Sequence, residues 1–298
     1  MELPFPARPV FGARAHDIAD GVTPLELGRR AREVGVERLQ LALMKSYPQV
    51  AGAAQLSVGL GEQFRAALAQ SGVTVAIFSC YQNLIHPDDG ARRQIIDRFK
   101  AYLKHAEAFG ARLVVSETGS VLPGLGYTQA NFTDGAFHQV IETVAELCDT
   151  AAHYGVLVGI EPGLNHPVHN LARTAELVEQ VNSPNLAIVL DPFNLLRTVA
   201  AGGDAKTDPA SYLEQLDRAF DMFGGSIEAI QLKDYAIDPT GKEPNGLVTV
   251  PVGEGDLPGS AAVERIWAAK PGIDIIFEGT PAPKIPKALT TLVHPSQK

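Results

Sequence analysis

The sequence predicts a single (β/α)8 barrel, and three observations carry that expectation. Short β-rich runs alternate with longer helical patterns from end to end, and there are eight such runs. Many helical patterns stop near a glycine just before the next run, at Gly35, Gly72, Gly110, Gly155 and Gly272. Neither GxGxxG nor the P-loop pattern GxxxxGK followed by Ser or Thr occurs. The open doubly wound sheet, the competing fold, usually advertises such a phosphate-binding turn after its first strand.

In chain order the first four candidate strands are 9–14 (PVFGAR), 37–43 (ERLQLAL), 73–79 (VTVAIFS) and 112–117 (RLVVSE). The other four are 156–161 (VLVGIE), 186–191 (LAIVLD), 226–233 (SIEAIQLK) and 273–278 (IDIIFE). Between them, segments such as 91–109 and 135–153 repeat their apolar residues with a period near 3.6, the mark of helices. The longer connections, 80–90, 118–134, 162–171, 192–210 and 234–258, all follow strands. They therefore belong to the C-terminal rim, where barrels build their sites. No low-complexity linker or shift of composition divides residues 1–298, which read as one domain.

Composition narrows the function classes. The 298 residues are 45% hydrophobic and 20% charged, as in a soluble globular protein. Twenty-five basic against thirty-four acidic residues give a net charge of −9, and no run of Lys and Arg forms a phosphate-tracking stripe. Nucleic acid is therefore not the expected partner, and small molecules are. Cys80 and Cys148 lack CxxC spacing and read as buried small hydrophobes. The start MELPFPARPVFGARAHD has no apolar targeting core, and no apolar stretch approaches the ~18 residues of a membrane span. A cytoplasmic protein without a membrane partner is the expectation. Whether like chains associate stays open.

The ends of the later strands are the informative feature. Strands 156–161, 186–191 and 273–278 end in Glu161, Asp191 and Glu278, and strand 226–233 presents Gln231. Two-residue alternation puts each polar group in line with small or apolar positions: Gly159 with Glu161, Ala187 and Val189 with Asp191, Ala229 with Gln231, Ile276 with Glu278. The opposite set (Ile160, Ile188, Leu190, Ile230, Leu232, Ile275, Phe277) is uniformly apolar and suits packing against outer helices. Four oxygen-bearing side chains would then converge at the top of the barrel, and three converging carboxylates repel unless a cation or protons intervene. A lone acid at a strand end is ordinarily a solvated rim group; four at matched positions point to a divalent ion. Such oxygens are hard ligands suited to Mg²⁺ or Mn²⁺. Lys233, inward on the strand of Gln231, would offset the remaining negative charge.

The pieces GIEPG (159–163), SPNLAIVLDPFNLL (183–196), IQLKDY (230–235), VPVGEGDLP (250–258) and IIFEG (275–279) stand in one order along the chain. In them the chain resembles the sugar phosphate isomerase/epimerase superfamily, the xylose isomerase-like TIM barrels that also include endonuclease IV. The resemblance implies metal binding by Glu161, Asp191 and Glu278. The family's further ligand is usually a histidine followed by x-Lys-Asp, and here Gln231 stands there, as in hydroxypyruvate isomerase-like members. Many relatives also carry a histidine where this chain has Asn194. The loss of both histidines argues against the multi-zinc endonuclease branch. The Gln231 position implies preference for Mn²⁺ or Mg²⁺, with Co²⁺ a further candidate and Zn²⁺ less favoured.

Resemblance to ketose 3-epimerases implies that Glu161 and Glu278 are catalytic bases as well as ligands. The implied reaction moves a proton next to a carbonyl through a metal-stabilised enediolate. A sugar, keto-sugar or sugar acid is the implied substrate; a dehydratase or decarboxylase on the same scaffold is the alternative, and a barrel that only binds sugar a third. Further candidates for substrate contact are Lys233, His166 and His169 of LNHPVHN, Asn194, Glu117 at the end of strand 112–117, and His16 after the first strand. Tyr81, Asn83 and His86 are candidates for a wall of the site. The glycines of VGEGD read as loop-shaping, since no basic cluster accompanies them.

Overall fold

The structure, a computed structural model, describes residues 9–200, 209–238, 240 and 246–293. Runs rich in Val, Ile, Leu and Phe form the strands β1 (Val10–Arg14), β2 (Arg38–Leu41), β3 (Thr74–Ser79), β4 (Leu113–Ser116) and β5 (Leu157–Ile160). After them come β6 (Leu186–Leu190), β7 (Ile227–Leu232), β8 (Asp234–Ile237), β9 (Leu247–Val250) and β10 (Asp274–Phe277). Eight of these close a parallel barrel in the order β1-β10-β7-β6-β5-β4-β3-β2. Its helices include Pro24–Glu33, Val58–Ala69, Asp89–His105, Asp134–Tyr154 and Gly259–Ala269. The chain is thus a (β/α)8 barrel. No helix among the described residues is long and apolar enough to cross a membrane.

The helix ends follow local chemistry. The side chains of Thr23, Ser57, Asp88, Thr133 and Asn170 each accept a backbone N–H in the first turn of the following helix. The five glycines expected to stop helices all have positive φ, between 65° and 91°, a conformation other residues adopt only with strain.

Alternation along the strands separates two cores. Ile77, Leu113, Val115, Ala187, Val189, Ala229 and Ile276 fill the barrel interior. Ile160, Ile188, Leu190, Ile230, Leu232, Ile275 and Phe277 face outward into the core shared with the helices. Gly159 belongs to the inner layer because nothing larger fits: a Cβ there would lie 2.6 Å from Val115 Cγ2. The register pairs Ile276 with Gln231 and continues through Glu278 N–H donating to the Leu232 carbonyl. Glu278 and Lys233 therefore leave the sheet at one level. Register shifts fall just before Gln40 in β2 and before Val189 in β6. Irregularities of this kind re-aim the side chains that follow.

Three of the expected connections contain structure, 118–134 among them with the 3-10 turn Gln129–Phe132. Residues 234–258 include an antiparallel hairpin of β8 with β9, pairing Asp234 with Val250 and Tyr235 with Thr249. Strands of four residues leave too short an alternation to be legible in sequence. Connection 192–210 opens with helix Pro192–Ala200. Residues 1–8, 201–208, 239, 241–245 and 294–298 lie outside the described residues.

The hairpin explains the glycines of VGEGD. Asp234 is 1% exposed, and its carboxylate accepts backbone N–H groups from Tyr235, Gly253, Gly255 and Leu257 at 2.7–3.0 Å. A Cβ on Gly255 would lie 2.4 Å from Asp234 Oδ1 and 2.2 Å from the Tyr235 carbonyl oxygen. This loop is a nest filled by the chain's own anion, so it holds no phosphate. Asp234→Asn replaces an acceptor oxygen by a donor and strands at least one buried N–H, a loss of about 3 kcal/mol. We expect its melting temperature to fall by about 6 °C or more. An unchanged melting curve would contradict the anchoring role.

Candidate active site

Residues at or beyond the C-terminal ends of all eight barrel strands meet over its mouth. A pocket of about 200 Å³ there is lined by Arg14, His16, Gln40, Ala42, Lys45, Tyr81, Glu117, Glu161, Asn194, Lys233 and Glu278. Glu161 and Asp191 are buried, at 3% and 1% exposure, and follow directly on β5 and β6. Gln231 is fully buried within β7, and Glu278 stands half-buried after β10.

Lys233 ties the acids together. Its ammonium lies 2.5 Å from Asp191 Oδ2 and 3.1 Å from Glu278 Oε1. Asp191 Oδ1 in turn accepts the backbone N–H groups of Phe193 and Asn194 at 3.0 and 3.3 Å. Glu278 Oε1 also receives Arg14 Nη1 at 2.9 Å, and Arg14 is itself steered by Asp17 at 2.8 and 3.0 Å. Burial disfavours the Lys233 ammonium, but the charges of Asp191, Glu278 and Glu161 outweigh it and raise its pKa.

Glu161 is held differently, by neutral donors. Tyr81 donates its hydroxyl to Glu161 Oε2, and Asn194 Nδ2 donates to Oε1 at 3.2 Å. Burial above all lifts the Glu161 carboxyl well above the usual range; Lys233 opposes this, while Glu278, Glu117 and Asp191 add to it. The Tyr81 hydroxyl also accepts Gln40 Nε2 at 3.1 Å and Gln231 Nε2 at 3.2 Å, and Gln231 donates as well to Gln40 Oε1 at 3.1 Å. This leaves Gln231 Oε1 buried without a hydrogen-bond donor. An orphaned acceptor inside a barrel mouth costs about 1–3 kcal/mol unless a cation or donor meets it.

These observations test whether the residues fit a divalent ion. Glu161, Asp191, Gln231 and Glu278 offer hard oxygens, and the stranded Gln231 Oε1 is an acceptor in want of a cation. Among the described residues, no three His, Cys, Asp or Glu side chains stand ready-made around one point, because Lys233 occupies the space between Asp191 and Glu278. The donors fit; their closing on an ion requires the ammonium to give way.

The other residues singled out in the sequence divide. His16, Glu117, Asn194 and Lys233 line the pocket, as does Tyr81. His166 stands behind Glu117, with Nε2 3.3 Å from Glu117 Oε1 and Nδ1 2.8 Å from the Gly119 carbonyl oxygen. His169 does not border the pocket; its ring packs on Phe132 with centroids 4.5 Å apart. Asn83 braces the connection after β4, accepting Ser120 N–H and donating to the Leu122 carbonyl at 2.8 Å each, and His86 binds its own turn at Asp88. Arg14, Gln40 and Lys45 went unsingled in the sequence. Gln40 carried the same signal as Gln231, an amide on the inward face of a greasy strand.

The Glu117–His166 pair sets a pH dependence. Burial works against both charges, but the mutual hydrogen bond and attraction hold Glu117 below its ordinary 4.5 and His166 above its ordinary 6.5. The His166 contribution is complete below about pH 6.5 and fades as pH rises through its folded pKa; the Glu117 contribution is complete above about pH 4.5 and fades as pH falls. Stabilisation by the pair is thus greatest near pH 5.5. His166→Gln should lower the melting temperature by about 2–4 °C at that pH and by less at pH 9. A deficit growing toward alkaline pH would contradict the ion pair.

No curated protein matches the chain. Among solved structures, 3-keto-D-glucoside 4-epimerase YcjR from E. coli aligns at 16% identity over 96% of this chain and 99% of its own, with a TM-score of 0.69. The probable 3-DHS dehydratase AsbF from Bacillus anthracis aligns at 15% identity over 96% and 100%, with a TM-score of 0.72. A xylose isomerase-like TIM barrel protein from Mycobacterium smegmatis in complex with magnesium aligns at 17% identity over 96% and 98%, at 0.67. At such identities the likeness is one of fold. The family model of the xylose isomerase-like TIM barrel, however, matches residues 29–292, most of the chain, and the protein belongs to that family.

Proposed function

We propose that this protein is a divalent-metal-dependent isomerase or epimerase of a sugar, keto-sugar or sugar acid, acting by proton transfer next to a carbonyl. The observation that carries the reading is the unequal treatment of two carboxyls in one pocket. Glu278 is paired with two cations, Arg14 and Lys233, whereas Glu161, among the described residues, is hydrogen-bonded by the neutral donors Tyr81 and Asn194. Two acids held in different environments divide the roles of proton donor and acceptor. Glu161, Asp191, Gln231 and Glu278 would hold a divalent ion through their oxygens, and the ion would supply Lewis-acid stabilisation of the charge that develops beside the carbonyl. Manganese or magnesium suits a donor set of oxygens alone.

The chain's own residues account for the rest. Glu278 takes the proton from the carbon, with Arg14 fixing its orientation. Glu161 returns a proton, and the Gln40–Tyr81–Gln231 network keeps its carboxyl in place. Acids on two faces of one carbon give epimerisation; one acid serving two adjacent carbons gives aldose–ketose isomerisation. Lys233 and Asn194, which line the pocket, meet substrate hydroxyls in this reading. Loss of water or CO₂ from the same intermediate is the second reading. The structural likeness to a probable dehydratase favours keeping it in view.

Incubation of candidate keto-sugars with the protein and Mn²⁺ in D₂O should place deuterium on one carbon beside the carbonyl, with carbon number retained and no unsaturated product. Release of CO₂ or water would move the assignment to a lyase. Glu278→Gln should reduce kcat by about 10³-fold with the fold intact, as loss of a positioned base does. Near-normal turnover in that variant would remove Glu278 from the mechanism.

A further inference from the structure

A second cavity, of about 860 Å³, lies on the same rim, between the connections that follow β1 and β2. Its carbon-rich wall includes Val22, Leu25, Tyr47, Leu60 and Phe64, with Tyr47 set edge-on against Phe64 at 4.9 Å between centroids. Leu25 is 47% exposed, a large apolar side chain on open surface. Asp20, Thr23, Gln49 and Gln63 also border it, but the Thr23 hydroxyl is already engaged as a helix cap. Lys45 borders both this cavity and the pocket over Glu161 and Glu278. Its ammonium is exposed and has no ion-pair partner among the described residues.

The small pocket, at about 200 Å³, falls below the ~300–1,000 Å³ usual for ligand sites, and it shares Lys45 in its wall with the larger, mainly apolar cavity. The geometry points to a two-part substrate: a keto-sugar or polyol over the acids, joined to an aryl or similarly apolar group in the large cavity. Glycosides with an apolar aglycone are therefore the substrate class, in preference to free sugars. Lys45, at the junction, is placed to donate to the oxygen that links the two parts. The inference rests on the isomerase or epimerase reading only for the identity of the polar half. What occupies the cavity is argued from its apolar wall and from Lys45, which lines both spaces.

Binding tests it without turnover. Phenyl β-D-glucopyranoside and methyl β-D-glucopyranoside, titrated into the full chain by calorimetry, should differ at least tenfold in affinity in favour of the phenyl compound. Gln63→Trp, which fills the cavity from an exposed helix position, and Leu25→Glu, which places a charge in it, should each erase that difference while leaving the methyl compound unaffected. Equal affinities, no binding of either compound, or equal loss of both in the variants overturns the inference. So does a dimer in sedimentation that Leu25→Glu dissociates, since the cavity would then hold a second copy. If keto-sugars exchange protons but the phenyl preference is missing, only this inference fails. If the preference is present but no keto-sugar exchanges, only the assigned reaction fails.

Discussion

The pairing of the Lys233 ammonium with Asp191 and Glu278 is the contact on which the rest of the barrel mouth depends. Glu117, Glu161 and Glu278 line one pocket, and Asp191 stands near enough for its charge to act on Glu161. Two carboxylates ~4 Å apart repel by about 4 kcal/mol at an effective dielectric of about 20, so they coexist only with compensation. The chain supplies it in three ways. Lys233 and Arg14 neutralise Asp191 and Glu278, burial raises the pKa of the Glu161 carboxyl and so disfavours its charge, and His166 answers Glu117. The result is a site whose acids are chemically distinct although the sequence presents them as equivalents.

The stretch from Ile230 to Tyr235 shows how one strand end serves several tasks by alternation. Ile230 and Leu232 face the outer core, while Gln231 and Lys233 face the mouth. Asp234 then turns away from the pocket to gather four backbone N–H groups of the following loop. Fixing that loop also fixes the hairpin that follows β7. A carboxylate satisfied by backbone donors is a structural anchor, and a carboxylate facing an ammonium is part of the chemistry; adjacent residues fill the two roles.

Much of this was legible in sequence because barrels obey short-range rules. Period-two alternation separated the inner layer from the outer one residue by residue, and glycines with positive φ marked the helix ends. Strand ends pointed to Glu161, Asp191, Gln231 and Glu278 because such positions are set by local phase. What was not legible depends on contacts between distant residues. Arg14 meets Glu278 across 264 positions, and Gln40 reaches Gln231 across 191. The placing of His169 against Phe132 behind the rim, and of His166 behind Glu117, is likewise set by how loops fold over one another. No periodicity encodes it.

The central claim is that the Lys233 ammonium and a divalent ion compete for the same oxygens of Asp191 and Glu278. Lys233→Met tests it most directly, through Mn²⁺ binding followed by the signal of the free ion. Removing the ammonium should tighten Mn²⁺ binding at least tenfold, about 1.4 kcal/mol. It should also lower the melting temperature of the ion-free protein, with Mn²⁺ restoring it. Unchanged Mn²⁺ affinity together with an unchanged ion-free melting curve would contradict the account.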